Sequence, residues 1–85
     1  MHARYIDAMP PPIKLPFSGQ KLRVARERRG LKQQDIADIT GIPQERLSRY
    51  ENGHTVPSVG VFGALVSALG CEPTDLLDES EAGAA

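Results

Sequence analysis

The sequence predicts an all-α fold, a compact bundle of five short helices preceded by an extended, Pro-rich N-terminal arm. Three observations carry this reading. Apolar residues recur at helical spacing in several short runs, and Gly30, Gly41, Gly53 and Gly70 punctuate those runs. No stretch of strand-like alternation is long enough to build a sheet. With 85 residues the chain has room for one compact domain with a small core.

Residues 1–17 read as the arm. Pro10, Pro11, Pro12 and Pro16 exclude a helix there and favour extended backbone. Ile13, Leu15 and Phe17 alternate with Lys14 and Pro16, so this piece either lies across the domain or pairs with a partner. The domain itself is expected over 18–79, and residues 80–85 form an acidic, small-residue tail that is expected to fray.

Within the domain, Ser18 is placed to cap a first helix over 20–29, with Leu22 and Ala25 on its inner face. Gly30 sits where a left-handed residue would end that helix, and Leu31 follows as its apolar partner. A second helix covers 33–40 with Ile36, Ala37 and either Ile39 or Thr40 turned inward, and Gly41 closes it. A third runs over 44–51, with Leu47 and Tyr50 on its core side. Ser58 caps a fourth in which Val59, Phe62, Leu65, Val66 and Leu69 follow the helical period to Gly70. Pro73 fits the first position of a short fifth helix carrying Leu76 and Leu77. Gly60 and Gly63 weaken the fourth helix by about 1 kcal/mol each against Ala.

Net charge is −1, but it is unevenly spread. Through Lys32 the chain carries eight Lys and Arg against two acids; beyond it, Arg46 and Arg49 face nine acids. Such a separation gives one face a positive potential in a near-neutral molecule. Arg26 and Arg29 are also candidates for ion pairs with Glu27 or Asp35. A lone cysteine, Cys71, excludes a disulfide framework and reads as a small core residue. His2 and His54 are too far apart for a recognisable metal motif, so no metal or other cofactor is expected. No apolar run is long enough for a membrane span, and the first residues do not read as a signal peptide, so a cytoplasmic location is expected. No nucleophile–base pair, carboxylate cleft or Gly-rich phosphate loop argues for an enzyme.

The informative stretch is QQDIADITGIPQERLSRYENG, residues 33–53: an eight-residue helix, a turn built on Gly41, Ile42 and Pro43, and a second helix of similar length. Two helices so short cannot bury themselves, so the flanking helices must cover their apolar sides. The outer face of the second keeps Gln44, Glu45, Ser48 and Arg49. Arg can bond both acceptors of guanine, Gln can bond adenine on two atoms, and Glu can accept from cytosine, so this face suits a DNA major groove. Gln33 and Gln34, opening the preceding helix, are placed for phosphate contact.

These residues make the chain resemble the Xre/Cro/cI-type helix-turn-helix proteins, the lambda-repressor-like class. The resemblance rests on KLRVARERRGLKQQDIADITG, IPQERLSRYENG, the VPS that opens the fourth helix, and LVSALGCEPTDLL, together about residues 20–77. It implies a lambda-repressor-like bundle in which the helix over 44–51 is the recognition helix. Carried over, Gln44, Glu45 and Arg49 occupy base-reading positions, while Gln33, Ser48 and Asn52 match positions that meet phosphate or support those that do. Lys32, Gln34, Arg46 and His54 complete the expected backbone contacts. Ala37 and Gly41 match structural positions, and Glu51 is expected to fix the loop after the recognition helix.

Four positions depart from the pattern. Lys32 and Pro43 stand where capping Ser or Thr is common, and Glu72 replaces a third. The carboxylate of Glu45 opposes phosphate unless it meets cytosine or pairs with Arg46 or Arg49.

The function expected is sequence-specific transcription regulation, as a repressor bound to an inverted-repeat operator in double-stranded DNA. One such domain reads about half a turn, so a homodimer is expected, through the fourth and fifth helices with Leu76 and Leu77 or through the arm. The competing expectation is an antitoxin-like module that binds a toxin or another regulator, with the Pro-rich arm serving that protein partner.

Overall fold

The computed structural model describes residues 16–78. The first fifteen residues of the expected arm, and the tail over 80–85, lie outside the described residues. Four α-helices follow in order: α1 (Gly19–Arg28), α2 (Gln33–Thr40), α3 (Gln44–Glu51) and α4 (Val59–Leu69). The fifth predicted helix is instead a single 3-10 turn, Pro73–Leu76. Its brevity comes from a contact distant in sequence: Leu77 turns to extended backbone (φ −108°, ψ 150°) and forms an antiparallel bridge with Phe17. The Ser18 amide donates to the Leu76 carbonyl at 2.9 Å and the Asp78 amide to that of Pro16 at 2.6 Å. Those bonds commit the chain to an extended course where an α-helix would need to continue. Beyond this bridge no strand occurs among the described residues.

The punctuation expected from sequence sets the helix ends. The Ser18 hydroxyl accepts from the Lys21 amide at 3.1 Å, and the Ser58 hydroxyl from the Val61 amide at 3.2 Å. Lys32 precedes α2 and supplies no acceptor, but Asp35 accepts the Lys32 amide at 2.8 Å from within the first turn. A carboxylate there also sits favourably in the field of the helix N-terminus.

The core is one cluster: Leu22 of α1, Ile36 of α2, Ile42 of the turn, Leu47 and Tyr50 of α3, Phe62, Leu65 and Leu69 of α4, and Leu76. Each fully buried leucine contributes about 1.5–3 kcal/mol of transfer free energy. Phe17 closes one end of it, edge-on to both Tyr50 (centroids 6.4 Å) and Phe62 (6.3 Å). Of the two alternatives at the end of α2, Thr40 turns inward and Ile39 is 60% exposed. Val59, expected inside, is 74% exposed because it occupies the first turn of α4, ahead of the packed stretch. Cys71 is half-buried against the core, and burial together with the charge of Asp75 raises its thiol pKa.

α1 reaches α3 at an unusually small residue. A Cβ on Gly19 would lie inside contact distance of the Tyr50 carbonyl and only 2.7 Å from that of Glu51. The N-terminus of α1 therefore abuts the C-terminus of α3, and only glycine fits between them.

Candidate nucleic-acid interface

α2 and α3 are joined by three residues. Gly41 turns left-handed (φ +81°), and its amide donates to the Ala37 carbonyl at 2.8 Å. The Thr40 hydroxyl donates to the Ile36 carbonyl at 2.7 Å and accepts from the Ile42 amide at 3.1 Å. Ile42 then drops into the core, and Pro43, which has no amide hydrogen, leads into α3 with φ −59°. The turn is thereby fixed by one left-handed glycine, one hydroxyl and one buried side chain.

α3 is divided along its length. Leu47, Tyr50 and Glu51 are buried; Gln44, Glu45, Arg46, Arg49 and Asn52 are exposed, and Ser48 is half-buried between the two sides. Lys32, Gln34 and His54 are exposed as well, and Gln33 is half-buried. No ion pair involving Glu45, Arg46 or Arg49 forms among the described residues, so Glu45 stays unpaired with either arginine. A shallow groove of about 460 Å³ runs beside the helix, lined by Pro43, Glu45, Arg46, Arg49, Tyr50 and Thr55.

Behind this face lies a buried charge. The Glu51 side chain is 1% exposed, and its carboxylate receives Arg26 through two nitrogens, at 2.6 and 3.0 Å. Arg23 donates to it at 3.4 Å and the Gln33 amide at 3.0 Å. Burial alone would push this carboxyl up, but the bonds from Arg26 and Gln33 and the charge of Arg26 outweigh it, leaving the pKa below the usual carboxylate value. Reciprocally, the bond to Glu51 raises the pKa of Arg26 against the opposing effect of burial. Glu51 thus bolts α1 and α2 to the end of α3, more than the loop-fixing role expected from the resemblance.

Two short chains of hydrogen bonds run outward from this anchor. Gln33 accepts from the Gln44 amide at 3.5 Å, a long bond that links α2 to the start of α3. Arg23 donates to the Asn52 side-chain Oδ1 at 3.2 Å, and the Asn52 Nδ2 donates to the Ser48 hydroxyl at 3.3 Å. Ser48 is left with its own hydrogen to donate outward. Gln34 donates to Asp38 at 2.8 Å along α2.

Arg26 and Arg29 pair with neither Glu27 nor Asp35, the partners that sequence allowed. Arg26 pairs with Glu51 and also donates to the Leu31 carbonyl at 2.8 Å; Arg29 donates to the Leu69 carbonyl at 2.7 Å. These partners lie up to 40 residues away. Arg23, Gln33 and Asn52 are therefore shared between the anchor and the outer face. A second open cleft, of about 780 Å³, lies between α1 and the 3-10 turn and is lined by no residue of α2 or α3.

Known proteins share this fold. A helix-turn-helix family model matches residues 22–76. The HTH-type transcriptional regulator DdrOP3 of Deinococcus deserti is 39% identical over 62 residues, covering 73% of this chain and 48% of the relative. The chain thus spans about half the length of that curated relative. Among solved structures, the restriction-modification controller protein C.AhdI of Aeromonas hydrophila is 32% identical with a TM-score of 0.66, over 69% of this chain and 89% of that one. The P22 c2 repressor, solved in complex with a synthetic operator, is 28% identical with a TM-score of 0.66, over 71% and 91%. ClgR of C. glutamicum, a clp gene regulator, is 27% identical with a TM-score of 0.67, over 79% and 87%. The chain belongs to the helix-turn-helix family of the Xre/Cro/cI type, a family of DNA-binding transcription regulators and not of enzymes.

Proposed function

We propose that this protein is a sequence-specific repressor that binds an inverted-repeat operator as a homodimer, with α3 in the major groove. The observation that carries the reading is the division of α3: Gln44, Glu45 and Arg49 stand exposed on a helix whose other side is anchored by the buried Glu51. Those three side chains read base edges. Lys32, Gln33, Gln34, Arg46, Ser48, Asn52 and His54 meet the phosphate backbone around them, fixing register without carrying sequence information. The similarity to a repressor solved on operator DNA supports the same use of the fold. The protein works in the cytoplasm, on the nucleoid. No described helix is long and apolar enough to cross a membrane.

Two domains on half-sites about 34–36 Å apart supply the affinity that one cannot. The Leu76 half of the expected dimer contact does not serve, because Leu76 is wholly buried in the core and Leu77 half-buried. Hydrodynamic mass at micromolar concentration, alone and on operator DNA, tests the dimer. Two protomers per operator fragment are expected, and a strict monomer on that fragment would refute it.

A further inference from the structure

We propose that Glu51, which faces no DNA, is a positioning residue that sets which base Gln44 reads, by fixing the polarity of the Gln33–Gln44 amide pair. The inference rests on the DNA-reading role given to α3 above and adds a cause for its specificity.

An amide side chain is nearly symmetric in shape, so packing alone does not decide which end is oxygen and which is nitrogen. A neighbouring carboxylate does. Ionised Glu51 only accepts hydrogen bonds, so Gln33 turns its Nε2 inward, 3.0 Å from the Glu51 Oε1. The Gln33 Oε1 then faces the start of α3, and Gln44 must meet it with a nitrogen, as it does at 3.5 Å. One hydrogen of the Gln44 Nε2 is used in that contact. Its Oε1 and its second N–H remain for the groove, an acceptor beside a donor.

That pair complements adenine, which offers N6–H and the N7 acceptor in the major groove. Reversing Gln33 would reverse Gln44: its oxygen would turn back, and both of its N–H groups would point outward. Two donors suit the O6 and N7 acceptors of guanine. The carboxylate is itself held by Arg26 through two bonds and by Arg23, and it is 1% exposed, so its orientation and charge are set before DNA arrives. The depressed pKa of Glu51 keeps it ionised at neutral pH.

The test compares operators that carry adenine or guanine at the base pair whose discrimination is lost in Gln44→Ala. The wild type favours adenine there by about tenfold or more, in the range a good bidentate contact provides. In Glu51→Gln the new amide can donate or accept toward Gln33, and the adenine-to-guanine ratio falls toward one. Discrimination at the base pair read by Arg49 is unchanged. A Glu51→Gln protein that keeps the adenine ratio while losing affinity for every sequence alike overturns the inference, leaving a purely structural Glu51. A wild type with no base preference at any position overturns the DNA reading as well. Should Glu51→Gln fail to fold, hydrogen exchange of the Gln33 side-chain amide in the wild type decides. One Nε2 hydrogen exchanging at least tenfold more slowly than a free glutamine amide is expected; exchange of both at the free rate refutes the bond on which the inference stands.

Discussion

The Arg26 guanidinium and the Glu51 carboxylate meet in a two-nitrogen pair, 2.6 and 3.0 Å, between the last turn of α1 and the last residue of α3. Removing one partner of a buried pair strands the other charge. Arg26→Met is therefore expected to cost about 3–5 kcal/mol. The double variant Arg26→Met with Glu51→Leu should recover part of that loss. Denaturant unfolding of the three proteins checks both statements.

The same pair makes stability depend on pH. Burial raises the Glu51 carboxyl, but the bonds from Arg26, Gln33 and Arg23 bring it below the ordinary value. In acid the unfolded chain therefore takes up a proton at Glu51 before the folded one does, so stability rises with pH across that window. The contribution is fully present above the unfolded carboxylate pKa, about 4.3, and is lost as pH falls through the folded value. Thermal melts from pH 7 down to 3 are expected to show a shallower acid loss in Glu51→Gln than in the wild type.

Gly19→Ala tests the approach of α1 to α3. Alanine at an open helix position stabilises by about 1 kcal/mol over glycine. Here the added methyl meets the backbone carbonyls of Tyr50 and Glu51, which no rotamer change can move. A net destabilisation of about 1–3 kcal/mol is expected. An unchanged or raised Tm would show that the two helices separate freely.

On DNA, Arg49→Ala and Lys32→Ala should fail differently. Arg49 is exposed on α3 and makes no internal ion pair among the described residues, so its loss costs about 1–3 kcal/mol on the specific site and relaxes base preference there. Lys32 is exposed where α2 begins, and its loss should weaken binding to all sequences alike and lower the salt slope by about one. Titrations of both variants at several salt concentrations, on specific and random fragments, separate the two roles.

Local signals were legible in the sequence because their causes are local. Ser18 and Ser58 cap the amides three residues on, and Gly41 adopts the left-handed conformation that ends α2. The bounds of α2 and α3 follow from these punctuating residues, and the exposed face of α3 from its period. What the sequence withheld depends on partners far along the chain. Arg26 reaches Glu51 25 residues away, where neighbouring acids had been candidates. Nothing in the local sequence marks Gly19, whose close approach to the Tyr50 and Glu51 carbonyls exists only once α3 is packed on it. The last helix looked continuous from Pro73 to Leu77, but the bridge between Phe17 and Leu77 cuts it to one 3-10 turn. The same turn buries Leu76, which removes it from the dimer contact expected of it.

The central claim, that α3 reads sequence for a dimer, is tested most directly by selecting bound fragments from a random DNA pool and following their affinity against salt. The account predicts enrichment of a short inverted repeat with half-sites about one helical turn apart, retained at physiological salt. Weak binding that disappears by physiological salt, with no sequence enriched, would contradict it.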